Sequence, residues 1–173
     1  GLILSNVNYV KKVIFPLEIL PWVALGSALF HFAASLLILF AAQLIFMGNI
    51  PFTVLLFPLV LLPLVLATMG FAWFLSSLGV FIRDIGQITG IITTVLLFIS
   101  GVFFPMSALP DPYRTWLMFN PLALIIEEGR NVLILGILPD PVYWCVAAAL
   151  GMLIAWTGFA WFQKTRKGFA DVL

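Results

Sequence analysis

Positions 19–82 carry no Asp, Glu, Lys or Arg. A bilayer crossing takes roughly 20 apolar residues, so this single tract is long enough for two crossings and a turn. A water-soluble fold cannot cover that much apolar surface. With 64% of all residues hydrophobic and 9% charged, the rest of the chain offers no polar domain to shield it. The expected fold class is all-α and integral to the membrane.

What remains excludes several functions. A net charge of +1 leaves no electrostatic footprint for nucleic acid. The single cysteine, Cys145, can form no internal disulfide and reads as a packing residue in an apolar segment. The chain opens on Gly1, with no basic stretch or small-residue cleavage site before its first apolar segment. It reads as a sequence incomplete at its N-terminus.

Four spans follow from charge-free length: Ile19–Met47, Pro51–Phe81, Gly86–Phe104 and Pro141–Phe162. The last would be about 33 Å long. Pro58 and Pro63 predict a kink near the start of the second. Four crossings put both ends on one side, and the distribution of basic residues says which. Lys11, Lys12, Arg83, Lys164, Arg166 and Lys167 share the face of the two ends, whereas only Arg114 and Arg130 lie opposite, among Asp111, Glu127, Glu128 and Asp140. The positive-inside rule then places the ends in the cytoplasm.

Residues 105–140 therefore face outward. Asp111–Pro112, Asn120–Pro121 and Asp140–Pro141 repeat one device, a side chain that accepts an orphan N–H followed by Pro at the first helical position. Two short helices are expected, Pro112–Phe119 and Pro121–Leu135, the second about 22 Å long and too short for about 30 Å of hydrocarbon. Its polar residues form no stripe, because Leu124, Ile134 and Leu135 share the angular sector of Glu127 and Asn131. A helix lying flat on the membrane wants a continuous polar face. This one reads as half of a re-entrant pair, its charged turn against protein or water; the alternative is an interfacial helix with a local Glu127–Arg130 pair.

Four blocks in order, "LILSNVNYVKKVIFPLEILP", "FIRDIGQI", "SGVFFPMSALPDPYRTWLMFNPLALIIEEGR" and "FQKTRKGFADVL", resemble the membrane subunit of ABC-2 type exporters, and most closely the branch that exports O-antigen, capsule and teichoic acid. The resemblance implies a single transmembrane domain over residues 1–173, its four spans being the third to sixth of six. It implies a cytoplasmic gate or coupling segment over residues 1–18, and outer gate helices within residues 105–140 that include Asn120, Pro121, Glu127 and Arg130. It further implies a bacterial inner-membrane protein in which two membrane subunits pair with two ATPase subunits and pass a glycan outward. An ABC-2 exporter of drugs or lipids is the alternative, since a fold does not fix a substrate.

Energy must then come from the partner, which would bind the ATP and magnesium: no Gly-Lys pair occurs, so the chain has no P-loop and no cofactor site of its own. Lys11, Lys12 and Glu18, together with Arg83 and Asp84, are the candidates for receiving that ATPase; Lys11, Lys12 and Arg83 read equally as topology determinants near the lipid head groups. Candidates for lining the path are His31, Phe98, Phe103 and Phe104, aromatic faces that would pass a sugar polymer without gripping one unit. His31 reads alternatively as a hydrogen-bonding residue between helices or a proton carrier. An intramembrane enzyme is disfavoured. Glu127 and Glu128 are helix neighbours about 100° apart, not a converging pair, and no catalytic or metal-ligand set accompanies them.

Overall fold

The computed structural model describes residues 2–6, 15–82, 84–104 and 108–169, and every regular element among them is helical. Helix α1 spans Leu20–Phe46, α2 Phe57–Phe81, α3 Ile85–Ile99, α4 Asp111–Met118, α5 Pro121–Arg130 and α6 Pro141–Thr165. Short 3-10 turns lead into α1 (Leu17–Ile19) and α2 (Phe52–Leu56), and another, Arg166–Gly168, follows α6.

Among the described residues three segments are long and apolar enough to cross a membrane: Leu17–Phe46, Phe52–Phe81 and Pro141–Gly168. The expected crossing at Gly86–Phe104 is a shorter apolar helix of 15 residues that stops at Ile99, about 22 Å long. The stop has a local cause. Ser100 N–H still bonds Leu96 O at 2.9 Å, but Gly101 then turns to φ +70°, a left-handed conformation open to glycine at little cost.

The prolines shape α2. Pro58 falls in its first turn, where a missing N–H removes no bond. Pro63 is buried inside the same continuous helix, and it deprives the Leu59 carbonyl of its donor four residues on. Trp144 of α6 supplies the replacement: its Nε1–H donates to Leu59 O at 2.7 Å. The start of the expected span is a 3-10 turn, Phe52–Leu56, that passes into α-helix at Phe57.

Helices α2 and α6 form the core. They touch backbone to backbone, because a Cβ on Gly151 would lie 2.6 Å from Pro63 O and one on Gly70 or Gly158 would run into the opposing main chain. Small residues at a crossing allow this approach in membranes. The Ser77 and Thr165 hydroxyls bond at 2.6 Å near one end, where the rings of Trp73 and Phe159 and of Phe162 and Phe169 meet edge to face. A second cluster, Phe57, Val60, Val132 and Leu133, lies at the other end. Helices α1 and α3 are covered far less: Phe30 and Ile38 are each 73% exposed and Ile91 68%. Such surface is at home against lipid or another membrane helix.

Candidate functional site

Three elements meet at the end of the bundle opposite Ser77 and Thr165. Two of the expected caps are made there. Asn120 Oδ1 accepts from Leu122 N–H at 3.0 Å with Pro121 in the first turn of α5. Asp140 Oδ1 accepts from Val142 and Tyr143 N–H at 2.8 and 3.4 Å at the start of α6. The third departs from expectation. Helix α4 begins at Asp111 itself, with Pro110 in the cap position.

The two short helices stand close to the boundaries expected from sequence. The second runs through α5 into a wider π turn over Asn131–Leu135, closed by Gly136 at φ +70° with its N–H on Asn131 O. In its middle Arg130 Nη1 pairs with the Glu127 carboxylate one turn earlier, the two side chains being 21% and 24% exposed. Arg130 Nη2 donates across to Gly101 O at 3.2 Å, and Asn120 Nδ2 donates to Ile99 O at 3.3 Å. Asn120 therefore holds the last carbonyl of α3, which lies at the negative end of the helix dipole, and Arg130 holds the carbonyl of the turn just beyond it.

Glu128 serves the other flank. Its Oε2 accepts from the Asp140 N–H at 3.2 Å, tying α5 to the start of α6. Burial pushes its carboxyl above the usual carboxylate range, the charges of Asp140 and Glu127 add to this, and the Asp140 N–H acts in the opposite direction. Thus Glu127 pairs within its own helix while Glu128, its neighbour in sequence, ties that helix to α6.

Two residues that sequence reasoning missed hold the far end of this helix. Gln43, 5% exposed near the end of α1, donates through Nε2 to Leu133 O at 2.7 Å; Thr53, in the 3-10 turn before α2, donates through Oγ1 to Val132 O at 2.6 Å. A signal existed: Gln43 is the only side-chain amide in positions 19–48, and an amide at that depth needs a partner.

The remaining candidates are dispersed. Lys11, Lys12 and Arg83 lie outside the described residues. Glu18 is drawn into an internal pair, its carboxylate oxygens 3.1 and 3.2 Å from Arg166 Nη1, and its carbonyl accepts from Trp73 Nε1 at 3.1 Å. Asp84 is exposed at the foot of α3, its carbonyl accepting from Gln87 N–H. His31 is exposed on α1 and meets Phe30 edge-on. Phe98 and Phe103 are exposed and their rings lie 5.5 Å apart, flanking the carbonyls that Asn120 and Arg130 hold, and Phe104 is half-buried. Cys145, expected as a packing residue, is exposed on α6. Among the described residues no group of three metal-ligating side chains occurs.

The chain is similar to O-antigen export system permease proteins RfbA from Klebsiella pneumoniae, 23% identical over 98% of this chain and 66% of that protein, and from Myxococcus xanthus, 26% identical over 95% and 64%. It is also similar to the polysialic acid transport protein KpsM of Escherichia coli, 24% identical over 60% of this chain and 40% of that protein. The chain thus spans just under two thirds of the length of the RfbA proteins it matches. The profile of the ABC-2 type transporter family matches residues 2–134, which takes in α1 to α5 and the whole of the charged turn, and the chain belongs to that family.

Proposed function

We propose that this chain is part of the membrane-spanning permease of an ATP-driven exporter that moves a polysaccharide, carried on lipid, across the bacterial cytoplasmic membrane. The observation that carries the reading is the charged turn of α5. It is an apolar helix too short to cross, and its ionic residues are spent on one another, the turn beyond α3 and the start of α6 rather than on solvent. That is what a re-entrant element at a channel mouth requires, since irregular polar backbone at membrane depth must be satisfied by protein. Similarity to O-antigen permeases along nearly the whole chain favours a glycan over the drug or lipid substrates of other ABC-2 exporters.

In this reading the apolar segment Gly86–Phe104, of which α3 forms the helical part, completes a fourth crossing together with the turn beyond Ile99, both ends of the chain are cytoplasmic, and residues 105–140 face outward. Two copies of the full-length subunit form the channel and two ATPase subunits bind ATP and magnesium on the cytoplasmic side. The ATPase docks on residues 1–18 and on the α2–α3 turn at Arg83 and Asp84. The exposed faces of α1 and α3, with His31, Phe98 and Phe103, turn toward the partner copy and the glycan path. Asn120, Pro121, Glu127 and Arg130 form the outer gate.

The test is complementation. The full-length protein and its neighbouring ATPase are expressed in cells lacking their own glycan exporter, and surface glycan is measured with an intact or a hydrolysis-dead ATPase. ATP-dependent appearance of surface glycan is expected. ATP-dependent efflux of a hydrophobic drug with no glycan displayed would transfer the assignment to the drug-exporter alternative.

A further inference from the structure

We propose that Arg166 is a positioning residue for transport: paired with Glu18, it passes movement of the ATPase-docking segment to helices α2 and α6, whose other ends hold the gate helix. This rests on the reading above, in which the ATPase docks on residues 1–18 and α5 gates the outer mouth.

Glu18 closes the docking segment and bonds into its own chain twice. Its carboxylate oxygens lie 3.1 and 3.2 Å from Arg166 Nη1, 148 residues away in sequence. Its carbonyl accepts from the Trp73 indole N–H of α2 at 3.1 Å. The last residue of the segment is thereby joined both to α2 and to the turn that follows α6. Beside it, Phe15 and Leu17 pack against the buried cluster that contains Trp73, Phe162 and Phe169. Arg166 is itself well fixed, because its 3-10 turn follows α6 directly and Phe169, just beyond, is buried against Phe162 and Phe81. The pair is partly open to water, Arg166 being 43% and Glu18 26% exposed, and an ion pair in that setting adds little to folding. Its loss should spare the fold and act on the transmission of movement.

Helices α2 and α6 are built to move together. Their main chains touch where Gly70 meets Gly158 and where Pro63 meets Gly151, so no layer of side chains lies between them to shear. Two hydrogen bonds join them away from these contacts: the Ser77 and Thr165 hydroxyls at 2.6 Å, and Trp144 Nε1 to Leu59 O at 2.7 Å. A packed pair of this kind shifts as a body more readily than it deforms. The same two helices grip the gate helix at their other ends. Glu128 accepts from the Asp140 N–H at the head of α6 at 3.2 Å. Phe57, at the head of α2, lies against Gly129, where an added Cβ would be 3.4 Å from its ring, and it packs with Val132 and Leu133. One rigid unit therefore touches the docking segment at one end and the gate at the other, with Glu18–Arg166 as an ionic link into it.

Charge reversal in the full-length protein, assembled with its ATPase, tests this. Glu18→Arg, Arg166→Glu and the double swap are each measured for affinity toward the ATPase, for ATP hydrolysis and for surface glycan. Each single variant sets two like charges face to face. Affinity should stay within about two-fold of the parent and hydrolysis should persist, while export falls about ten-fold; the swap should bring export back to within about three-fold. A swap that leaves export as low as in the single variants overturns the pairing, and if affinity has fallen as well, Glu18 belongs to the ATPase contact itself. Parental export in both single variants also overturns it. The movement would then enter through α1, which continues the segment covalently and whose Gln43 reaches Leu133. If charge reversal prevents assembly, Glu18→Gln and Arg166→Gln take its place: each should lower export several-fold with affinity kept, and parental export in both has the same overturning force. A parent complex that displays no ATP-dependent glycan would fell the exporter reading and this role of Arg166 with it.

Discussion

Arg130 crosses from α5 to the carbonyl of Gly101, 3.2 Å away, while its other terminal nitrogen pairs with Glu127. The guanidinium is therefore shared between a carboxylate on its own helix and the buried turn that follows α3. Its planar fork suits two simultaneous acceptors, which a lysine ammonium on a flexible stem would serve less well.

That sharing sets the outcome of mutation. Glu127→Gln and Arg130→Gln should each impair export, because either change leaves one partly buried charge without its counterpart and a hydrogen bond to a charged group contributes about 1.5–3 kcal/mol. Arg130→Gln should be the more severe, since it also releases Gly101. The charge swap Glu127→Arg with Arg130→Glu should restore only part of the loss, because a carboxylate at position 130 cannot donate to a carbonyl. ATP hydrolysis by the complex should persist in all three, the defect being at the mouth of the channel. Normal export in both single variants would mean the turn is merely solvated.

Orientation is checked by labelling. Asn49, Asp140, Asp84 and Lys167 are all exposed, and the positive-inside rule assigns the first two to the outside and the others to the cytoplasm. Single cysteines at these positions, with Cys145 replaced by Ser, should react with a membrane-impermeant thiol reagent on intact cells at Asn49 and Asp140 only. Labelling at Asp84 or Lys167 from outside reverses the topology.

Glu128 carries the pH dependence. Its carboxyl is held above the usual range by burial and then by the charges of Asp140 and Glu127. A carboxyl whose folded pKa exceeds its unfolded one binds more protons in the folded state, so its contribution is full below the unfolded value and is lost as pH rises through the folded one. Glu128→Gln keeps an acceptor for the Asp140 N–H and removes the charge. The variant should have a Tm at neutral pH equal to or above that of the parent, with a flatter decline from the ordinary carboxylate range upward. An unchanged pH profile would sever Glu128 from this effect.

Much of this was legible in the chain itself. Asn120–Pro121 and Asp140–Pro141 announced two helix starts, because an oxygen-bearing cap followed by Pro has few other uses. The missing polar stripe in Pro121–Leu135 suggested a charged turn set against protein or water; Arg130 and Glu128 do reach neighbouring elements, while Glu127 bonds only Arg130 on its own helix. The end of α3 was not legible: an apolar run continues through Phe104, and only the backbone of Gly101 reveals the turn. Nor were the partners of Leu133 and Val132, since Gln43 and Thr53 lie 90 and 79 residues away and hydropathy does not encode which carbonyl a buried amide will meet.

The pairing of Trp144 with Leu59 shows how one proline dictates a distant side chain. Leu59 O lacks a helical donor because position 63 is Pro, and the indole N–H of Trp144 fills that place at 2.7 Å. Trp144→Phe keeps most of the ring and removes the donor, leaving a carbonyl unsatisfied in an apolar setting, at a cost of about 1–3 kcal/mol. Pro63→Ala restores a backbone N–H that can bond Leu59 O within α2, at the expense of packing against α6. In the Pro63→Ala background, Trp144→Phe should therefore cost much less, and the double-mutant cycle should give a coupling energy of about 1 kcal/mol or more. Thermal unfolding of the purified complex in detergent would measure all four corners. Additive effects would mean that Trp144 acts through ring packing alone and that water or lipid head groups already satisfy Leu59.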